Sequence, residues 1–225
     1  MNEAPILNVQ NLCFSYPCGE ILSNISFQLQ AASKTAIIGP SGSGKTSLLR
    51  LIAGLEKAKS GSIEILDRKE PKKSVAMMTQ KDCLLEHLSL IDNLELPLKI
   101  ANEKIDREKS LEMVKILGLE KFMRAKPAEL SGGMRQRLSF ASCLIQKKPL
   151  ILLDEPFSGL DYLNKEKVCA MINQVLCQSS FLVVTHDQWI AKELCDDVLH
   201  LERGKLHSEN LYELYRNNIK NEFSA

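Results

Sequence analysis

Apolar positions along the chain change period several times, and each change marks an element. "ILNVQNLCF" near the start and "TAII" at residues 35–38 are short runs rich in apolar and β-branched residues, the composition of strands. "SLLRLIAGL", residues 47–55, repeats its apolar positions at helical spacing, so the segment before it, "GPSGSGKT" at residues 39–46, joins a strand to a helix. Short strands are expected at "GSIEIL" and "SVAMM", and then residues 92–148 read almost wholly helical. Within that stretch "DREKSLEMVKILG" offers Asp106 as N-cap, an apolar face at Leu111, Val114 and Leu117, and Gly118 as the stop. Beyond Pro149 strand and helix alternate again in "LILLD", "NKEKVCAMINQVL", "FLVVTHD", "QWIAKEL" and "DDVLHLE". The tail "SENLYELYRNNIK" predicts a last amphipathic helix with Leu211, Leu214, Tyr215 and Ile219 on one face. The pattern predicts an α/β core interrupted by a helical insert, with no internal repeat, low-complexity tract or flexible linker.

Composition narrows this picture by exclusion. A chain of 225 residues is long enough to bury a sizeable core and suggests one domain or two small ones. With 25% charged residues and a formal net charge of +1, no broad field recommends nucleic acid as a partner. The basic cluster "RKEPKK", residues 68–73, contains a glutamate and a proline and reads as a solvated turn. Seven cysteines without a C-x-x-C pair, and four dispersed histidines, argue against a zinc site or a disulfide framework and fit a reducing cytosol. The start, "MNEAPILNV", lacks a basic region followed by an apolar one, and no run reaches the roughly eighteen apolar residues of a membrane span. The chain is not expected to cross a bilayer itself.

The glycine-rich loop has the form G-x-x-x-x-G-K-[ST] between a strand and a helix. Glycines at 39, 42 and 44 leave successive backbone N–H groups free to point inward around a phosphate chain. The helix beginning near Lys45 adds its positive end, Lys45 reaches the outer phosphates, and the Thr46 hydroxyl suits Mg²⁺. A lysine about 4 Å from a phosphate oxygen is worth roughly 4 kcal/mol at an effective dielectric near 20, before desolvation.

Such a cradle alone hydrolyses nothing, and acids at another buried strand supply the rest. In "LILLDEP" a continuously apolar strand ends at Asp154, placed to hold Mg²⁺ through a water, and Glu155 follows as a candidate general base. "FLVVTHD" ends with His186, which is suited to bond the γ-phosphate or to position water; a lone histidine there is more often structural. Gln80, just past "SVAMM", brings an amide oxygen for Mg²⁺ and the water, a weak signal by itself. "LSGGMRQR", residues 130–137, is a second small-residue anion site at a helix start, with Ser131 as N-cap and Gly132 and Gly133 exposing N–H groups; alone it reads rather as an ordinary Gly-bearing helix cap. Two cradles for one nucleotide are reconciled by a two-fold dimer in which each chain covers the γ-phosphate bound by the other.

These motifs, in this order, resemble the ATPase subunit of an ATP-binding cassette (ABC) transporter from about Ile6 to Leu206: Walker A "GPSGSGKT", the Q-loop Gln80, the signature "LSGGMRQR", Walker B "LILLDEP", the D-loop "SGLD" at residues 158–161 and the switch histidine His186. The resemblance implies a P-loop NTPase (RecA-like) core with an antiparallel β subdomain and an inserted helical signature subdomain at about 92–148. The ATPase domain would span 1–207, followed by a helical tail, 208–225. It implies ATP and Mg²⁺ as ligands, with nucleotide contacts along Gly39, Pro40, Ser41, Gly42, Ser43, Gly44, Lys45, Thr46 and Ser47. It also implies adenine stacking on Tyr16 of "FSYP", a second shell of contacts from Ser131, Gly132 and Gly133 across a dimer, and communication through Asp161. Catalysis would rest on Glu155, His186, Gln80 and Lys45, and the metal on Thr46, Gln80 and Asp154. Partners would be a second cassette and transmembrane permease subunits, holding the chain peripherally on the cytoplasmic face of the membrane.

The finer match is to the nitrate, sulfonate, taurine and thiamine-precursor import group, whose "LLPWLTVLDNV" layout is similar to "LLEHLSLIDNLELPL" here, with Glu86-His87 where Pro-Trp is common. The "ELPL" ending instead resembles lipoprotein-release and efflux ATPases. The apolar residues Cys83, Leu84, Leu85, Leu88 and Leu90 read either as core packing or as a surface for a permease helix. Ser142 stands where the family's "ARAL" carries arginine, which touches a helix contact rather than the phosphate chemistry. Three rivals are weaker. A repair or translation ABC ATPase would carry a coiled-coil insertion or tandem cassettes, a non-hydrolysing ATP-binding module would not need Glu155 and His186, and a GTPase would need N-K-x-D, which "NKEK" lacks.

Overall fold

Strands that are apolar at every position need cover on both faces, and the computed structural model of the chain provides it. It describes residues 4–65, 74–158, 162–175 and 179–209. The basic cluster at 68–73, Asp161 and the tail helix expected over 208–220 lie outside those residues, except that Ser208 and Glu209, expected to open that helix, instead end the last strand, paired with Leu199 and Val198.

The elements run β1 (Leu7–Tyr16), β2 (Gly19–Leu29), β3 (Lys34–Ile38), α1 (Lys45–Ile52), β4 (Ser60–Ile65), β5 (Val75–Met78), α2 (Leu90–Ile100), α3 (Arg107–Ile116), α4 (Gly132–Leu144), β6 (Leu150–Asp154), α5 (Tyr162–Val175), β7 (Ser180–Val184), α6 (Gln188–Leu194), β8 (Asp197–Glu202) and β9 (Lys205–Glu209). Two sheets form: an antiparallel one ordered β2-β1-β4 and a larger one ordered β5-β6-β7-β3-β8-β9. The larger is parallel except for β9, which turns back on β8.

Side chains alternate across the larger sheet and divide the interior in two. Ala36, Ile38, Ile151, Leu153, Phe181 and Val183 face a core shared with α2 and α4, where Leu94, Leu138 and Phe140 pack. Ile37, Leu152, Leu182 and Val184 face the opposite core, with Leu48 and Ile52 of α1 and with Leu7, Leu12 and Leu22 of the antiparallel sheet. Every residue of β6 and β7 is buried.

The helices start and stop where their caps dictate. Ser89 Oγ accepts from the Asp92 N–H, Asp106 from Lys109 and Ser131 from Met134, and Gly118 takes φ +65° just past α3. One expected core position differs: Val114 and Leu117 are buried, but Leu111 is 41% exposed, because α3 packs on one side only. Two strands are missing from the hydrophobic pattern, β9 and β2, and in β2 the buried residues Leu22, Ile25 and Leu29 break period two. Asn24 at φ +55° and register shifts against β1 account for the break.

The segment expected to be either core or docking surface is divided between buried and exposed positions. Leu90 is fully buried, Leu84 packs on the α2–α4 core, and Leu85 is exposed. Ser142, at the position of the family's arginine, turns its hydroxyl back to the Leu138 carbonyl at 2.9 Å, and a cavity of about 140 Å³ lies beside it, lined also by Asn93, Cys83 and Met77.

Candidate functional site

Four neighbouring parallel strands, β5, β6, β7 and β3, end on one edge of the sheet, with Met78 level with Leu153, Asp154 with Val184, and Ile37 with Val184. Each hands its next residues to that edge: Gln80 after β5, Asp154 and Glu155 at β6, His186 after β7, and the loop 39–46 after β3. A cleft of about 370 Å³ opens there, lined by Ile21, Ser41, Gly42, Gly44, Lys45, Thr46, Ser47, Gln80, Glu155 and Val184.

The loop's glycines are required for two different reasons. A Cβ on Gly39 would lie 2.1 Å from the Leu201 carbonyl oxygen, so here the need is room against β8 rather than room for phosphate. A Cβ on Gly42 would meet nothing within 4 Å, and its φ of +80° is the constraint. Gly44 caps α1 in a left-handed conformation, and the helix starts at Lys45 with its N–H groups toward the cleft.

Lys45 folds its ammonium back over the loop, donating to the carbonyls of Gly39 at 2.8 Å and Pro40 at 2.9 Å. Burial pushes its pKa down, opposed by Glu155 and Asp154. The Thr46 hydroxyl donates to Asp154 Oδ1 at 3.1 Å across 108 residues of sequence. Asp154 is 2% exposed and its pKa is pushed up by burial, with the Thr46 bond working against the shift and Glu155 adding to it. The Ser43 hydroxyl is buried with no hydrogen-bond partner.

Glu155 sits in the left-handed region at φ +48°, uncommon for this residue type and worth about 1 kcal/mol of strain or more. Its N–H donates to the Val184 carbonyl at 2.9 Å and its carbonyl accepts from Ser158 at 3.1 Å, which holds the turn. Its carboxylate, Oε1, lies 2.9 Å from His186 Nδ1, with the glutamate side chain 13% and the histidine 69% exposed. A second depression of about 220 Å³ lies on the far side of that pair, against Lys165 and Asp187.

Not every expected residue joins the cleft. Tyr16 ends β1 with its ring edge-on to Phe14 at 4.8 Å, and the hairpin reaches the cleft through Ile21 instead. Ser131, Gly132 and Gly133 open α4 away from the cleft, with Ser131 and Gly132 exposed, and Asp161 lies outside the described residues. Two contacts had no signal in the sequence: Ile21, on a strand that the pattern missed, and the bonds that tie α4 to the loops on either side of the cleft, Arg135 to Asp82 and Glu86, and Gln136 to the Pro156 carbonyl.

Physically the cleft suits a magnesium nucleotide. A left-handed glycine at 42 and a helix N-terminus at 45, both lining the cleft, fit phosphate oxygens. The Thr46 and Asp154 oxygens, already in contact, are the hard donor set that Mg²⁺ takes alongside phosphates.

Comparisons with known proteins agree. The family model described as ABC transporter matches residues 22–158. A probable ABC transporter ATP-binding protein, PEB1C, from Campylobacter jejuni is 34% identical over 96% of this chain and 95% of its own length. The thiamine import ATP-binding protein ThiQ of Photorhabdus laumondii is 33% identical over 92% of this chain and 91% of its own. Among solved structures, a dimeric post-hydrolysis state of the ATP-binding cassette MJ0796 bound to ADP and Pi superposes with TM-score 0.83 at 28% identity, covering 91% of this chain and 98% of that one.

Proposed function

Because the chain belongs to the ABC transporter family, we propose that it is the ATP-hydrolysing subunit of a small-solute importer, energising a membrane permease through ATP-driven closure of two cassettes. Import is favoured by the relatives named for import of thiamine, sn-glycerol-3-phosphate and sulfate or thiosulfate, and closure by the dimeric cassettes among the structural neighbours. The resemblance of "LLEHLSLIDN" narrows the reading to the nitrate, sulfonate, taurine and thiamine-precursor group. In this reading the ATPase domain expected to end at 207 extends through β9 to Glu209, the remaining residues to 225 are an appended tail, and the chain sits on the cytoplasmic membrane face through its permease. Among the described residues no helix is long and apolar enough to cross a membrane.

The observation that carries the reading is that Glu155, which pairs with His186, lines the same cleft as the phosphate loop. Lys45 and the loop amides hold the phosphates, Thr46 and Asp154 hold the metal with Gln80 completing it, and bound Mg²⁺ neutralises charge on the phosphate oxygens. Glu155 accepts the proton of the attacking water, and His186, 2.9 Å away, fixes the carboxylate and approaches the γ-phosphate. Ser131, Gly132 and Gly133 of a second copy cover the exposed phosphate, with Asp161 relaying between copies and Tyr16 meeting the adenine.

Glu155→Gln tests this. The variant should bind ATP within about threefold of the parent, lose about 10²-fold or more in turnover, and form a dimer with ATP that gel filtration resolves. Turnover at the parental rate would remove Glu155 from the role of base.

A further inference from the structure

Arg135 lies in the first turn of α4, and its guanidinium takes hold of a segment 53 residues earlier in the chain. Nε donates to Asp82 Oδ2 at 2.9 Å, Nη2 to Asp82 Oδ1 at 2.8 Å, and Nη2 also to Glu86 Oε1 at 2.8 Å. Two parallel bonds into one carboxylate are the geometry a guanidinium fixes and an ammonium does not. The pair is partly sheltered, with Arg135 and Asp82 side chains 23% and 27% exposed, and the guanidinium holds the Asp82 carboxyl below the usual range. Glu86, which stands where the import group carries proline, thereby has a partner.

The same segment is tied at its other points. Thr79 Oγ1 donates to the Lys81 carbonyl at 2.7 Å, and the buried Asn93 amide donates to the Leu85 and Leu88 carbonyls at 3.1 and 3.2 Å while accepting from Leu85 N–H at 2.7 Å. Gln80 is exposed and lines the nucleotide cleft. A side chain that must place one amide oxygen within a few tenths of an ångström needs its backbone held, and most of that hold comes from outside the segment.

We propose that Arg135 is the positioning residue for Gln80: by gripping Asp82 and Glu86 from the signature helix, it sets the distance of the Gln80 amide from the metal and the attacking water. This rests on the reading of Gln80 given above. The next residue, Gln136, donates to the Pro156 carbonyl beside Glu155, so consecutive residues of α4 hold the two loops that face each other across the cleft.

Steady-state ATPase kinetics of the full chain, taken across a magnesium titration, test the proposal. Arg135→Ala should lower kcat about tenfold and raise the magnesium concentration giving half-maximal rate, while ATP affinity measured without magnesium stays within about twofold of the parent. Arg135→Lys, which keeps the charge and guards against loss of fold, should recover part of the rate. In a Gln80→Ala background, Arg135→Ala should cost nothing further, because both act through one side chain, whereas Gln136→Ala should still add its own loss. If Gln80→Ala lowers kcat and Arg135→Ala either leaves it unchanged or adds its full effect, the positioning role is overturned. If Gln80→Ala is itself silent, the role of Gln80 fails and the proposal falls with it; that single variant tells the two failures apart.

Discussion

Gly39 and Gly42 belong to one motif and are required for unlike reasons, which makes their alanine variants informative. Gly39→Ala would drive a Cβ to 2.1 Å from a backbone oxygen of β8, an overlap that must move the strand or the loop. It should cost roughly 3 kcal/mol or more, the range of severe overpacking. Gly42→Ala has open space and suffers only the left-handed backbone, about 1–2 kcal/mol. Urea denaturation of both variants should return that order, and a Gly42→Ala protein more damaged than Gly39→Ala would contradict it. Glu155 holds a similar conformation without being glycine, and its strain is sustained by the bonds from its N–H to Val184 and from Ser158 to its carbonyl.

At the scale of elements, the first turn of α4 and the segment after β5 are joined by charge as well as by apolar packing, so their union responds in part to acid. Asp82 titrates below its ordinary value of 3.8 in the folded chain because Arg135 hydrogen-bonds its ionised form. A depressed carboxyl contributes stability that is fully present above the unfolded pKa and disappears as pH falls through the folded one. The partial exposure of both side chains limits the contribution to on the order of 1 kcal/mol. The difference in melting temperature between parent and Arg135→Ala should therefore be constant from about pH 7 down to pH 5 and shrink steadily below pH 4. A difference that stayed constant below pH 4 would mean that the ionised Asp82 contact does not stabilise the folded chain. The apolar elements should be indifferent to that titration. β6 and β7 are buried throughout, and Phe181 and Phe140, at 0% and 1% exposure, hold their sheet and helix by area alone.

For the whole molecule, Ser131, Gly132 and Gly133 are not among the residues lining the cleft of their own chain, so the two-copy site proposed above needs a second chain to complete it. ATPase activity per chain should rise with protein concentration and with a Hill coefficient above about 1 for ATP. Activity that is independent of concentration, at levels where gel filtration shows a monomer, would exclude the two-copy site. Much of this was readable from residues. The loop's glycines and lysine, the caps at Asp106 and Ser131, and the change of period at Pro149 are all local signals, decided by backbone freedom and burial pattern within about ten residues. The same locality explains the misses. In β2 a left-handed Asn24 breaks the alternation that identifies a strand, and Leu111 is apolar with nothing packed over it. Residue types named the participants in the chemistry because only certain side chains hold phosphate, metal or a water's proton. Three-dimensional folding decided who meets whom. The order β5-β6-β7-β3 sets Gln80, Glu155, His186 and the loop on one edge, and Arg135 finds its acids 53 residues back. Parallel strands are joined by crossovers of variable length, so no local feature states which strands become neighbours, and long-range contacts inherit that freedom.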